Sequence, residues 1–162
     1  MTGVLDPMKF KLLNLLNVSW WKCAYLYMRG VIRYADGKYE ASVADFLWIL
    51  NNGAFAPVSG LVYENLGINY ARLNDLVKAE EYLFKASDNI RKKDNGYLFM
   101  WLGYIHLINN RHEQALDCFR KARDYGRTGY QKWLVQEKYV KERIDMLEVE
   151  IRKKYTDIFS NN

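Results

Sequence analysis

The side chains that could do acid–base or nucleophilic chemistry are few in this chain of 162 residues. His106 and His112 are its two histidines, and neither has a second histidine or a cysteine at metal-ligand spacing. Cys23 and Cys118 are too few for a disulfide framework or a zinc motif. The sequence also lacks a glycine-rich phosphate loop and a nucleophile elbow. We therefore predict no catalytic residue, no metal, no cofactor and no enzymatic activity.

The charged residues point to a solvated surface. The formal net charge is +5, but Lys and Arg alternate with Asp and Glu except in the triplets 91–93 and 152–154. We interpret these triplets as helix ends, with nucleic-acid or anionic-lipid binding as the less favoured reading. No apolar run reaches the length of about 18 residues that a membrane span needs. Two isolated cysteines fit reduced thiols, so we expect a cytoplasmic protein.

The elements that position these side chains repeat along the chain. Gly30, Gly67 and Gly103 recur at separations of 37 and 36 residues, and their surroundings are similar. Each unit reads as a helix, a polar turn and a second helix. First helices are predicted over 24–35, 60–72 and 96–108, and second helices over 38–50, 75–91 and 111–123. Aligning the glycines brings three further columns together: the small residues Ser42, Ala79 and Ala115; the large residues Phe46, Leu83 and Phe119; and the turn residues Gly37, Asn74 and Asn110.

The glycine column predicts a close contact between the two helices of each unit. A glycine inside a helix costs about 1 kcal/mol relative to alanine, so three at one position indicate that a Cβ would collide with the partner helix. We expect the small-residue column to make the matching approach and the large residues to fill the space beside it. Ser59 is the predicted N-cap of the first helix in the second unit, and Asp94 is that of the first helix in the third unit.

The three units resemble the tetratricopeptide repeat. The third unit has an aromatic residue, Leu-Gly, a polar aromatic, then Ala, Phe and Ala in the consensus order, and the second unit matches equally well. The first unit is looser, because Arg29 stands where leucine is usual and Arg33 where tyrosine is. In size and layout the chain also resembles small bacterial adaptors and secretion chaperones of this type. The matching residues are Phe99, Leu102, Gly103, His106, Ala115, Phe119 and Ala122 in the third unit, and Tyr63, Leu66, Gly67, Tyr70, Ala79, Leu83 and Ala86 in the second.

The resemblance implies an all-α solenoid of three helix–turn–helix units. We expect residues 1–162 to form a single domain with an N-terminal helix over 6–22, repeats over 23–59, 60–95 and 96–129, and a capping helix over 130–159. Asp6-Pro7 is a suitable start for the N-terminal helix.

In proteins of this family the first helices line a concave groove, and here that groove would be apolar and aromatic. Tyr, Trp and Met are enriched at interface cores, so we predict that it binds a protein or peptide. The alternative is that residues 8–21 cover the groove. A clamp for a chaperone's C-terminal carboxylate is not predicted, because its places hold mostly apolar side chains. The groove residues are Tyr27, Met28, Val31, Tyr34, Asn65, Ile68, Arg72, Tyr97, Met100, Trp101, Tyr104 and Leu107.

The last helix carries an apolar stripe longer than one repeat can cover. Its outer part predicts a contact between two copies of the chain. The function we predict is a protein-interaction scaffold or adaptor; the alternatives are an assembly subunit that forms homodimers and a secretion-type chaperone. The oligomer-contact residues are Ile144, Leu147, Ile151, Tyr155 and Ile158.

Overall fold

The computed structural model describes the backbone at residues 7–52, 56–89, 96–126 and 137–160, and the side chains within 20–52, 59–89, 96–125 and 138–153. Over these ranges the chain forms seven α-helices and no strand. None of the described helices combines the length and hydropathy required to cross a bilayer. The helices are α1 Pro7–Ala35, α2 Tyr39–Asn52, α3 Ala56–Arg72, α4 Leu76–Asn89, α5 Gly96–Ile108, α6 His112–Gly126 and α7 Glu137–Ser160.

Three helical hairpins follow one another, namely α1 with α2, α3 with α4, and α5 with α6. Each turn contains one residue in the left-handed region: Gly37 at φ 75°, Asn74 at φ 61° and Asn110 at φ 55°. Glycine and asparagine adopt this conformation at low cost, and it closes the preceding helix with paired hydrogen bonds. In the first turn Lys38 N–H donates to Arg33 C=O at 2.8 Å. The predicted alignment of the three turns is confirmed.

The glycine column does lie where the two helices of a hairpin meet. A Cβ at Gly30 would lie 2.9 Å from Phe46 Cζ, and one at Gly67 would lie 2.6 Å from Leu83 Cγ. Phe119 blocks Gly103 in the same way at 2.9 Å. An added Cβ would collide mainly with the large residues Phe46, Leu83 and Phe119. The sequence predicts the closest approach at the small residues instead. The glycines therefore make room for a large side chain of the second helix.

The departures of the first repeat from the consensus are explained by one buried carboxylate. Asp45 is only 3% exposed. Arg29 donates to it from Nη2 at 2.5 Å and from Nε at 3.0 Å, and Arg33 donates from Nη1 at 2.7 Å. A buried charge needs such partners to offset its lost hydration. Asp45, which pairs with both arginines, is not predicted from the sequence.

The apolar core runs through the stacked hairpins as two clusters. The first joins α1, α2 and α3 around the fully buried Phe46 and Val62. The second extends from α3 to α7 around Leu83 and Phe119. Each hairpin thus packs against the next one and buries apolar side chains between them, as stacked repeats do.

The N-terminal segment differs from the prediction. Residues 7–35 form one helix of 29 residues, not a separate helix followed by the first repeat. No glycine or proline stands between Pro7 and Gly30, so nothing ends the helix there. Residues 7–22 therefore continue along the axis of α1 and do not turn back over the repeats. Ser59 lies inside α3, which begins at Ala56, while Asp94 lies outside the described residues.

The C-terminal helix also corrects a prediction. Ile144 is 5% exposed and Leu147 is fully buried, and both belong to the large cluster that contains Phe119 of α6. Their expected role in a contact between two copies is wrong, because α7 already buries them inside its own chain. Ile151 is half-buried against the same cluster. The side chains of Tyr155 and Ile158 lie outside the described part of the structure.

Candidate functional site

The candidate binding surface is the side of the molecule formed by α1, α3 and α5, which we call the first-helix face. Two hydrogen bonds join α3 to α1 there: Asn65 Nδ2 donates to Tyr27 Oη at 3.3 Å, and Arg72 Nε donates to Tyr34 Oη at 3.5 Å. These four side chains were all predicted for the groove. The structure brings them together in two contacts between the first and second repeats.

Arg72 also reaches the third repeat. Its guanidinium carbon lies 4.9 Å from the ring centre of Trp101, within the range of a cation–π contact. The hydrogen bond to Tyr34 raises the pKa of Arg72. The face therefore carries a permanent cation between the aromatic side chains of two neighbouring repeats.

Tyrosines surround the Trp101 ring. Tyr97 and Tyr104 meet it edge to face, with ring centres 6.3 Å and 5.8 Å away. Burial raises the pKa of Tyr97 to about 12, so its hydroxyl stays protonated at neutral pH. The exposed side chains of Arg72 and Tyr104 offer hydrogen-bond donors to a ligand on this face.

A pocket of about 220 Å³ opens beside this group. Its walls come from three helices: Arg72 of α3, then Met100, Trp101 and Tyr104 of α5, and finally Tyr139 of α7. The volume is below that of typical small-molecule sites and suits one large side chain of a protein ligand. Tyr139 is not predicted from the sequence, because its place in the pocket depends on how α7 packs beside Phe119, whose ring centre lies 6.0 Å from that of Tyr139.

The other predicted groove residues differ in how much of each side chain is exposed. Ile68 is 4% exposed and belongs to the core. Met100 and Trp101 are each 7% exposed and offer only an edge to the pocket, whereas Tyr104 is exposed. Val31 and Leu107 are partly buried against the two apolar clusters. Met28 is exposed.

Two of the residues considered as candidates for chemistry, His106 and Cys118, are buried within the structure. Arg111 donates to both carboxylate oxygens of Glu80, at 2.9 Å and 2.7 Å, and so links the third repeat to the second. His106 is buried beside this pair, and burial, with a further contribution from Arg111, lowers its pKa. Burial raises the pKa of the Cys118 thiol to about 12, so it is not a reactive thiolate. Among the described side chains, no cluster of three His, Cys, Asp or Glu could hold a metal ion.

No protein-family model matches the sequence, and no curated protein matches it either. Solved structures do resemble it. The first tetratricopeptide domain of Spaghetti (RPAP3), bound to the HSP90 peptide SRMEEVD, is 14% identical at a TM-score of 0.65. That match covers 82% of this chain and 94% of the other.

Two further structures support the same fold. The tetratricopeptide domain of Sgt2 from Aspergillus fumigatus is 15% identical at a TM-score of 0.64, with 83% of this chain and 82% of that one covered. The CopN–Scc3 complex contains a chain that is 20% identical at a TM-score of 0.59, with 76% and 68% covered. The chain therefore has the all-helical solenoid fold of tetratricopeptide-repeat domains, and these identities are too low to carry more than the fold.

Proposed function

We propose that this chain, which has the tetratricopeptide-repeat fold, is a protein-interaction adaptor that binds a peptide or protein segment on its first-helix face. The observation that supports this best is the pocket between Arg72, Trp101, Tyr104 and Tyr139. Aromatic residues and arginine are the types most enriched among side chains that dominate binding energy. We also propose that the chain is not an enzyme and that residues 1–162 act as one domain.

The ligand that fits best has a large apolar or aromatic side chain next to a hydrogen-bond acceptor. The apolar side chain would enter the pocket, and the acceptor would meet Arg72, which is exposed and held by Tyr34. The similar domain of Spaghetti was solved with a peptide, and the chain that resembles this one in the CopN–Scc3 structure is part of a complex. Peptide binding by such folds supports the proposal for this chain by analogy.

Self-association is the weaker candidate. Two of the five residues expected to make a contact between copies are buried within the chain. A role as a secretion-type chaperone, a cytoplasmic location and the lack of nucleic-acid binding stay predictions.

A library of short random peptides displayed on phage tests the proposal without a known partner. Peptides selected on the intact chain should lose about tenfold or more in affinity when Tyr104→Ala and Arg72→Ala are combined. Phe84→Ala is the matched control, because Phe84 is an exposed aromatic residue of α4. Circular dichroism checks that all variants stay folded.

The proposal fails if the selected peptides bind the Tyr104→Ala, Arg72→Ala variant as tightly as the intact chain. It also fails if Phe84→Ala weakens them equally, because binding would then not be located at the pocket.

A further inference from the structure

A second surface lies on the outer side of α1, away from the pocket. Trp21, Tyr25, Met28 and Ile32 follow one another at steps of four, three and four residues, so they share one side of the helix. They are 66%, 61%, 59% and 56% exposed. We call these four residues the open stripe. Large apolar side chains grouped in this way on a surface mark an interaction site.

The repeat register shows what normally covers such a stripe. Tyr25 stands five residues before Gly30, as Val62 does before Gly67 and Leu98 before Gly103. Val62 and Leu98 are fully buried. Val62 shares a cluster with Val43 and Ile49 of α2, the second helix of the preceding repeat.

The residue two positions after each glycine shows the same difference in burial. Ile32 is exposed, whereas its equivalents Asn69 and Ile105 are fully buried. Ile105 lies in one cluster with Ala79 and Ala86 of α4, again the second helix of the preceding repeat. The open stripe is thus the stacking face of the first repeat, and over the described residues no helix lies on it.

Charge indicates what kind of helix would lie there. The sequence of α1 contains Lys9, Lys11, Lys22, Arg29 and Arg33, and no aspartate or glutamate. Asp45 of α2 neutralises one of the two arginine charges, and the other cations of α1 keep the helix basic. A second copy placed stripe to stripe would therefore oppose two basic helices, which is unfavourable. An occupant that brings carboxylates would be attracted.

An ion pair within the molecule gives the position of one such carboxylate. Glu80 of α4 binds Arg111, the residue that precedes α6 of the next repeat. Lys38 occupies the same place in the first repeat, eight residues after the column glycine. It is exposed, and its ammonium lies 3.1 Å from Asp36 of its own turn.

A helix stacked on α1 as α4 stacks on α5 would bring the residue at the place of Glu80 beside Lys38, where a carboxylate would be favoured. The contact between the first and second repeats has Val43 and Asp75 at these two places and no ion pair between them, so the pair is an option of this stacking and not a rule.

We infer that the open stripe docks one acidic amphipathic α-helix of a partner protein. The apolar side of this helix covers Tyr25 and Ile32, and a glutamate or aspartate pairs with Lys38. The open stripe shares no residue with the lining of the first-helix pocket. An anionic bilayer would also attract a basic apolar helix, but it would not reproduce the helix-on-helix packing that buries Val62 and Ile105.

The test measures binding of two stapled helical peptides to the full chain. Both carry the same leucine stripe; the first has glutamates at its flanks and the second has lysines in their place. The acidic peptide should bind at least about tenfold more tightly than its basic twin. Combining Tyr25→Ser with Ile32→Ser should weaken the acidic peptide by about tenfold or more. The matched control combines Val77→Ser with Val149→Ser, at two exposed valines on other helices, and should leave binding unchanged.

Three results would overturn the inference. The first is equal binding of the two peptides, or no binding of the acidic one. The second is binding to phosphatidylglycerol vesicles that Tyr25→Ser and Ile32→Ser abolish while neither peptide binds, which would indicate a membrane surface. The third is a solution mass of two copies that falls to one copy in the same variant. The pocket variant Tyr104→Ala should not affect the acidic peptide, so failure here and failure of the proposed adaptor function remain distinguishable.

Discussion

The first and second repeats join their two helices with different chemistry at the same three positions. In the first repeat these positions hold Arg29, Arg33 and Asp45, which form a partly buried ion-pair cluster around the buried carboxylate. In the second they hold Leu66, Tyr70 and Tyr82, and the two tyrosine rings stack with centres 5.5 Å apart and planes 6° from parallel. The third repeat places Leu102, His106 and Cys118 there.

The same hairpin therefore accommodates different sets of side chains at these positions. The glycine and large-residue columns are kept in all three repeats, whereas the neighbouring positions differ together. A consensus compares residues one column at a time, so the first repeat looked irregular. Arg29 and Arg33 fit the repeat once Asp45, their partner on α2, is considered with them.

The largest effect should come from the contact that the repeats share. Gly67→Leu should lower the free energy of unfolding by about 3 kcal/mol, because the new side chain would overlap Leu83 and the carbonyl oxygen of Ala79. Val77→Leu, at an 80% exposed position, is the control and should cost less than about 0.5 kcal/mol. Urea denaturation measures both. Equal midpoints would mean that the glycine contact does not hold the hairpin together.

The second-largest effect is expected from the ion-pair cluster, which only the first repeat has at these positions. Asp45→Ala should cost about 2 kcal/mol, because it removes hydrogen bonds between charged groups and leaves two arginines side by side. Those arginines are about a third exposed and regain water, which keeps the cost below that of a fully buried pair. The measurement is again a denaturant midpoint.

A smaller effect is expected when the whole set is exchanged. Arg29→Leu, Arg33→Tyr and Asp45→Tyr together give the first repeat the side chains of the second. This triple variant should lie within about 1 kcal/mol of the natural chain, since the second repeat packs the same three side chains in an equivalent hairpin and replacing an ion pair by well-packed residues often costs little. Asp45→Tyr alone should be clearly less stable. If the triple variant is as unstable as this single one, the two sets are not equivalent.

The smallest effect concerns pH and arises only in the third repeat. His106 shares a column with Arg33 and Tyr70, and it is the member that titrates near neutral pH. Its pKa in the folded chain is lowered, chiefly by burial, so the unfolded chain binds the proton more readily. Its contribution to stability is therefore complete above the unfolded pKa, near 6.5. That contribution declines as the pH falls towards the folded pKa.

His106→Phe should accordingly remove part of the loss of stability between neutral and mildly acidic pH. The measurement compares urea midpoints of the two chains across that range. His112→Phe is the control, because His112 is half-exposed at the start of α6. A pH profile unchanged by His106→Phe would contradict this account.

Much of the fold could be predicted because it depends on local signals. The turn residues Gly37, Asn74 and Asn110 and the three glycine contacts follow from backbone conformation and helix spacing, which recur in each unit. The continuous helix α1 is not predicted, although no glycine or proline stands between Pro7 and Gly30, because the repeat pattern suggests a helix boundary before the first unit. The fold was therefore predictable down to the hairpin, and helix ends were less so.

The candidate site was predictable only in part. Periodicity shows which residues share one side of a helix, but not what covers that side. It placed Tyr27, Tyr34, Asn65 and Arg72 correctly on neighbouring helices, and it could not foresee that α7 adds Tyr139 and buries Leu147. Pairing of Arg29 with Asp45 was missed for the same reason, since it joins residues 16 positions apart.

The two ends of the stack differ in what covers them: α7 packs on the last hairpin, whereas the open stripe of the first faces outward. In a chain of units coupled only to their neighbours, a unit with one interface opens more easily than a unit with two. Amide hydrogens of α1 and α2 should therefore exchange with solvent faster than those of α5 and α6. The molecule would open from its N-terminal end, and a helix bound to the open stripe would slow that exchange first.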